Sequence, residues 1–392
     1  MTKPFQPTQV KQAAPHILKG ELVVFFAFEV GKSIALKQVS ALMQSQAKKL
    51  LRQKKQTPRH IQYANKPQVI YLDSHTITCQ GFPQLKGEIW ATVFDFGAVS
   101  IAYHWPIGEN AKQNACPLAL TQLPDLSEKL YDLDLEKHAK LQMDALFNII
   151  QPAIVQANLS TMLEDYYVFV IEQLNSAASA EHLLNQYPDV LSQTLQFETK
   201  ALSQMQQNKI LSKPISYYPT DLFLVDWNAS LIVDPDYMDT LSVLELLNVE
   251  LLEARFMDAK LDEKIQNYDG NSFRHQWYLP LFSPYRAIIE ELASFKIDAA
   301  LLEERLDNTL KLIGDVYLSR VYEAASQQFY LPSWDASISR KLTIIDNLYT
   351  VLTDRIRNTQ SLLLELIIVI LISAEIILTV LSTGFGLGGF MR

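Results

Sequence analysis

The stretch Leu362–Leu381, LLLELIIVILISAEIILTVL, constrains this chain more than any other. Fifteen of its twenty residues are Leu, Ile or Val. As a helix rising about 1.5 Å per residue it is about 30 Å long, the thickness of a bilayer's hydrocarbon core. Such residues each favour insertion by about 0.3–0.6 kcal/mol, against a penalty of about 2.5–3.5 kcal/mol for a central acid or base. With Glu treated as Asp, the apolar positions outweigh Glu365 and Glu375, so the run is expected to cross a membrane once. A helix buried in a soluble core is the rival, although core runs of that purity are usually shorter.

The two acids differ in place. Glu365 lies near the entry end, within reach of head groups, whereas Glu375 sits close to mid-membrane with no basic residue on its own segment. Either Glu375 stays protonated and bonds Ser373, Thr379 or a backbone carbonyl, or it faces a second copy of the helix and shares hydrogen bonds there. Arg340, Lys341, Arg355 and Arg357 precede the run and only Arg392 follows it. The basic-flank rule then places the large domain on the cytoplasmic side of a bacterial inner membrane, with the matrix side of a mitochondrial inner membrane as the second option. The expected protein is single-pass and tail-anchored, with a Gly-rich tail over 382–392 where Gly384 and Gly388 have GxxxG spacing. At the other end, MTKPFQPTQVKQAAPHILKG has no apolar core of a secretory signal, and it lacks the arginine and serine of a transit peptide. Residues 1–20 are expected to be a flexible N-terminus.

Upstream of the apolar run, Ser283-Pro284 reads as an N-cap followed by proline at the first helical position, opening a long amphipathic helix bent near Gly314. A break follows around Pro332. Ile338, Leu342, Ile345, Tyr349, Leu352 and Ile356 then repeat with heptad spacing. Residues 283–360 are therefore expected to form an antiparallel helical hairpin whose second arm continues into the membrane. A seam shared between subunits is the other use of the same pattern.

The remainder is globular, with 48% hydrophobic and 20% charged residues, enough apolar side chains for a sizeable core. Cys79 and Cys116 have neither metal-ligand nor disulfide-framework spacing and read as buried thiols of a reducing compartment. ELVVFFAFEV is of strand type, followed by a helix, QVIYLDS, the hairpin EIWATVFDF and AVSIAYHW, and a helix within 126–150. DYYVFVIEQL, a helical stretch over 178–207, PISYY, DLFLVDW, ASLIV and a helix over 237–265 repeat that order. The predicted fold class is α+β, with two β-α-β-β-β-α units at 21–155 and 156–270 that read as a degenerate duplication or as a coincidence of order. The turns also rhyme, with Gly97 and Asn228 suited to positive φ.

Catalytic signatures are missing. Gly31-Lys32-Ser33 lacks the upstream glycine of a phosphate-binding loop, and Asp95-Phe96-Gly97 has none of the other kinase signatures around it. The seven histidines show no metal-binding spacing, so no metal and no cofactor are expected. Charge is more informative. Between Glu29 and Asp73 the chain has nine basic residues and no acid, leaving 25 basic against 43 acidic residues elsewhere. Lys48, Lys49, Arg52, Lys54, Lys55 and Arg59 are the candidate anionic-partner site, within a basic run over 32–66. Anionic lipid and RNA or ribosome phosphates are the competing partners, a solvated helix face the plain alternative, and Tyr63 and His60 offer some stacking.

SRKLTIIDNLYTVLTDRIRNTQSLLLELIIVILISAEIILTVL resembles the C-terminal end of the Required for Meiotic nuclear Division 1 family, also called domain of unknown function 155. ATVFDFGAVSIAYHW is similar to that family's strand–turn–strand signature, whereas TLSVLELLNVELLEARFMDAKLDE departs from its serine-, alanine- and glutamine-rich helix. The resemblance implies a membrane-associated homo-oligomer, supporting organellar translation in the mitochondrial members, and it carries over no catalytic residue. The expected function is a non-enzymatic, oligomeric, tail-anchored scaffold. The alternative is a membrane-bound enzyme of unrecognised type with carboxylates such as Asp95 or Asp226 in a cleft.

Overall fold

The structure is a computed structural model that describes residues 14–46, 61, 63, 65–110, 116–176, 178–267, 289–290, 292–297, 300–301 and 313–387. It is mixed α+β and divides into two compact units: Met1–Phe256 with Arg305–Trp334, and Met257–Glu304 with Asp335–Arg392.

The first unit is built on one eight-stranded sheet. Strand β1 (His16–Glu29) is followed by the short β2 (Ser33–Ile34), helix α1 (Leu36–Gln46), and strands β3 (Gln68–Ile77), β4 (Leu85–Val93), β5 (Ala98–Ile107) and β6 (Leu118–Ala119). Helices α2 (Leu123–Tyr131) and α3 (Leu135–Ile150) lead to β7 (Ile154–Val155), β8 (Leu163–Leu174), three short helices α4 (Ala180–Gln186), α5 (Pro188–Gln196) and α6 (Gln204–Ile210), and the hairpin β9 (Leu222–Val225) and β10 (Ala229–Val233). Helix α7 (Met238–Asn267) follows. The sheet order is β3-β4-β5-β1-β8-β10-β9, with β6 added beside β1, while β2 and β7 pair separately.

Both predicted halves feed this single sheet. The order of elements recurs only in part, and the pairing does not: β5 lies antiparallel to β1, whereas its counterpart β10 lies parallel to β8. The predicted strand PISYY is reduced to one bridge, Ile215 to Phe223. Strand β1 also starts earlier than expected, because Ile17 is fully buried and pairs with Leu118 and Leu174. The predicted 178–207 helix is interrupted by Pro188 and by Phe197, whose φ of 53° closes α5.

Alternation along β1 divides the sheet into two unlike faces. Leu22, Val24, Phe26 and Phe28 point into a large apolar core shared with α1, α2, α3 and α5, through residues such as Met43, Leu126, Met143 and Leu191. The opposite face holds Ala27, packed with Phe94, Ala98 and Leu246, Val249 and Leu252 of α7. Within this unit α7 is buried nearly all round, as a helix without a polar side must be.

Helix α8 (Val316–Gln328) begins at Asp315, whose carboxylate accepts the Leu318 N–H at 3.0 Å. The predicted long first arm is therefore interrupted, not bent: Ile313 is extended and bridges Ile61. Residues 302–312 lie outside the described residues. The break predicted at YLPSWDA, around Pro332, falls at Tyr330, with φ 55°, and Pro332 sits in the first turn of α9 (Leu331–Leu387), where its missing N–H does no harm.

The second unit contains the rest of α9 and its partners. Ile338, Ile345 and Leu352 are buried along the predicted seam. Lys341 pairs with Asp258 at 2.8 Å and Asp262 at 2.6 Å near the end of α7, and Ser337 donates to Asp258. Lys296 pairs with Asp346 and lies 5.4 Å from the Tyr349 ring centre. The seam therefore has the end of α7 as a partner, which the heptad pattern alone did not identify.

Candidate functional site

The apolar run emerges as the distal part of α9, with Gln360–Leu381 long and apolar enough to cross a bilayer and none of it buried within the structure. Apart from the half-buried Leu363, its large apolar side chains from Leu362 to Leu381 are exposed by 44–67%. Such a surface, apolar on every side, is not what water selects. Glu365 and Glu375 are exposed on the same segment. The Thr379 hydroxyl donates to the backbone carbonyl of Glu375 at 2.8 Å, not to its carboxylate. Among the described residues, the Glu375 carboxylate has no hydrogen-bond partner.

The six basic candidates Lys48, Lys49, Arg52, Lys54, Lys55 and Arg59 lie outside the described residues, as does His60. Of the flanking lysines, Lys32, Lys37 and Lys66 are all exposed, and α1 turns Val39 and Met43 into the core while Lys37 faces outward. Tyr63, one of the two rings that offer some stacking, is half-buried. It packs on the Ala27–Leu246 cluster, and burial, then Glu245, Glu250 and Asp239, push its hydroxyl pKa far up.

The two motif-like fragments turn out to hold each other. Val30 N–H donates to Gly97 O at 2.9 Å, Ile34 N–H to Asp95 O at 2.7 Å, and Lys32 N–H to Val155 O at 2.9 Å. Those donors are thus engaged with carbonyls and are not arrayed around an anion. Gly97, with φ 104°, closes the β4–β5 turn, and a Cβ there would overlap the Gly31 carbonyl. Asn228 is not among the described residues with positive φ; its turn closes through Asp226 N–H to Ala229 O at 2.8 Å.

Asp95 accepts from Asn65 at 2.7 Å. Asp226 accepts from the Trp227 N–H at 2.9 Å and from the Gln196 amide, and burial raises its pKa. Their hairpins are separated by β1 and β8, so β5 and β10 stand about 14 Å apart. A cavity of about 210 Å³ is lined by Ile210, Lys213, Val225, Ala324, Gln327 and Gln328, with no carboxylate among them.

Two polar constellations were invisible in the sequence. On the α7 side of the sheet, His104 Nδ1 lies 3.2 Å from Glu21, whose other carboxylate oxygen accepts from Tyr237 at 2.8 Å. His104 Nε2, Ser100 Oγ and Asn248 Oδ1 on that side are buried without a hydrogen-bond partner among the described residues. Nearby, Glu164 pairs with Arg255, yet burial, helped by Asp165, raises its pKa to about 7. On the apolar side, His75 and His138 face each other at 4.3 Å between ring centres, and the Tyr103 hydroxyl lies 2.7 Å from His138 Nδ1. Burial lowers both imidazole pKa values, with His138 adding to the effect on His75 and Asp73 opposing it at both. Residues 63 positions apart carry no spacing signal, which is why this pair went unseen. Among the described residues, no group of three or more His, Cys, Asp or Glu could hold a metal.

The model of one family, described as Uncharacterized protein MJ0711, N-terminal domain, matches residues 19–239. The chain belongs to that family. The MJ0711 match runs from β1 to the start of α7 and so covers nearly all of the sheet, the His75–His138 pair and the Glu21–His104–Tyr237 group, while Asn248, Arg255 and the apolar helix lie beyond it. The uncharacterized protein MJ0711 of Methanocaldococcus jannaschii is 26% identical over 237 residues, 60% of this chain and 71% of that protein. No solved structure matches.

Proposed function

We propose that this chain is a non-enzymatic, self-associating membrane scaffold. Its distal helix anchors it, its α+β domain lies on the cytoplasmic side, and its basic run over 32–66 is offered to an anionic partner. The observation that supports the anchor most is the distal half of α9, which exposes large apolar side chains on every side. Arg340, Lys341, Arg355 and Arg357 upstream of the run, against Arg392 beyond it, support the sidedness. The likeness of the C-terminal segment to the Required for Meiotic nuclear Division 1 family makes translational machinery the partner to try first, with anionic lipid as its competitor.

The test uses the full chain in nanodiscs of neutral lipid, offered structured RNA and anionic vesicles at about 50 mM and 200 mM salt. Changing Lys48, Lys49, Arg52, Lys54, Lys55 and Arg59 together to Gln should abolish most of the binding and flatten its salt dependence. Equal binding by the wild type and the six-fold variant, or no binding by either, overturns the anionic-partner role.

A second function is favoured by one observation, the Glu21–His104 pair, which orients an imidazole as a general base is oriented. His104 is only 6% exposed, so substrate would have to displace what covers it.

A further inference from the structure

We infer that Glu375 is the contact through which two copies of this chain associate inside the membrane. This rests on the membrane anchor proposed above and names the surface and the partner of that helix. The apolar run of this uninterrupted helix ends at Leu381, so Glu375 lies about 20 Å along the axis from Leu362 and about 9 Å from Leu381. At that depth the carboxyl lies inside the apolar run, and a polar group held in hydrocarbon without a partner is strongly penalised.

Among the described residues there is no internal remedy. Thr379, the nearest polar residue on that face, spends its hydroxyl on the Glu375 backbone carbonyl, and the helix has no basic residue between Arg357 and Leu387. Glu365 is about 80° away around the helix and about 15 Å away along it, too far to share a proton. A protonated carboxyl is both donor and acceptor, and is therefore complementary to itself. A second copy placing its own Glu375 at the same depth satisfies both, by a two-fold arrangement in which each carboxyl donates to the other. Lipid tails offer no such bond.

The helix face is defined by geometry. At about 100° per residue, Thr379, Leu371 and Ile368 lie within about 40° of Glu375, whereas Ser373 lies about 160° away. The contact should therefore bring Thr379 of the two copies together and keep Ser373 apart.

The test is made on the full chain in lipid vesicles of rising lipid-to-protein ratio, with association read by cross-linking and by mass in native nanodiscs. Glu375→Leu should insert at least as well as wild type and associate about 3- to 30-fold more weakly, the range for one interhelical hydrogen bond. Glu375→Gln, which keeps a donor and an acceptor, should retain most of the association. Thr379→Cys should form an intermolecular disulfide under mild oxidation, and Ser373→Cys should not. Cys79 and Cys116 are buried and do not confuse the result. Wild-type protein that resists an alkaline wash but associates no better than Glu375→Leu, or that cross-links equally through both cysteines, overturns the Glu375 contact alone. Wild-type protein released by the wash overturns the anchor and the contact with it.

Discussion

The two halves of α9 are one uninterrupted helix made for two solvents. From Leu331 to about Thr359 it follows the rule for a surface helix: Ile338, Ile345 and Leu352 are buried in a stripe, while Arg340, Thr343, Asp346 and Thr350 face outward. From Gln360 on, the stripe disappears because every face is apolar, and none of the described residues covers it. A soluble helix gains by burying one side, whereas a membrane helix must be apolar on all of them. The change of pattern within one helix marks where the solvent changes.

The same substitution made on either side should separate the halves most sharply. Ile345→Ala, at a fully buried seam position, should destabilise the domain by about 2–5 kcal/mol. Ile377→Ala, about 160° around the helix from Glu375 and 58% exposed, should change stability in mild detergent by no more than an exposed site does, within about 0.5 kcal/mol. Equal losses would mean that the distal half is packed against protein, and the comparison would fail.

A smaller effect comes from contrasting the buried acid of the sheet domain with the imidazoles on its other face. The Glu164 pKa is raised to about 7, so between the ordinary carboxylate range and pH 7 the folded state holds a proton that the unfolded state releases. That contribution to stability weakens as pH rises through this window. His75 and His138 have lowered values, so their contribution is full at neutral pH and is lost as pH falls below about 6.5. Melting the full chain at pH 5 and pH 7.5 should show Glu164→Gln shifting the balance in favour of the higher pH relative to wild type. An identical pH profile in both proteins would contradict the assignment to Glu164.

Local signals served well where one stretch decides the outcome. The apolar run, the strand ELVVFFAFEV, the hairpin around Gly97 and the buried positions of the 338–352 seam all announce themselves by period or by turn chemistry. Signals failed where distant segments meet. Nothing in the spacing of Ala229–Val233 indicates that it pairs parallel to Leu163–Leu174, because direction is set by how the intervening helices return the chain. His75 with His138, and Glu21 with His104 and Tyr237, are likewise products of sheet register. Tyr63 packs on the Ala27–Leu246 cluster, a contact between distant segments that its place beside the basic run does not show.

Membrane flotation of two chains, the full protein and one lacking residues 361–392, tests the anchor most directly. Both are expressed together with native membranes, washed at high salt and alkaline pH, and centrifuged upward through a density gradient, so that membrane-bound protein rises and aggregate does not. The full chain should float, and the shortened chain should stay in the soluble fraction with the circular dichroism of a folded α+β domain. A shortened chain that still floats after the wash, or a full chain that does not, would contradict anchorage by the distal half of α9.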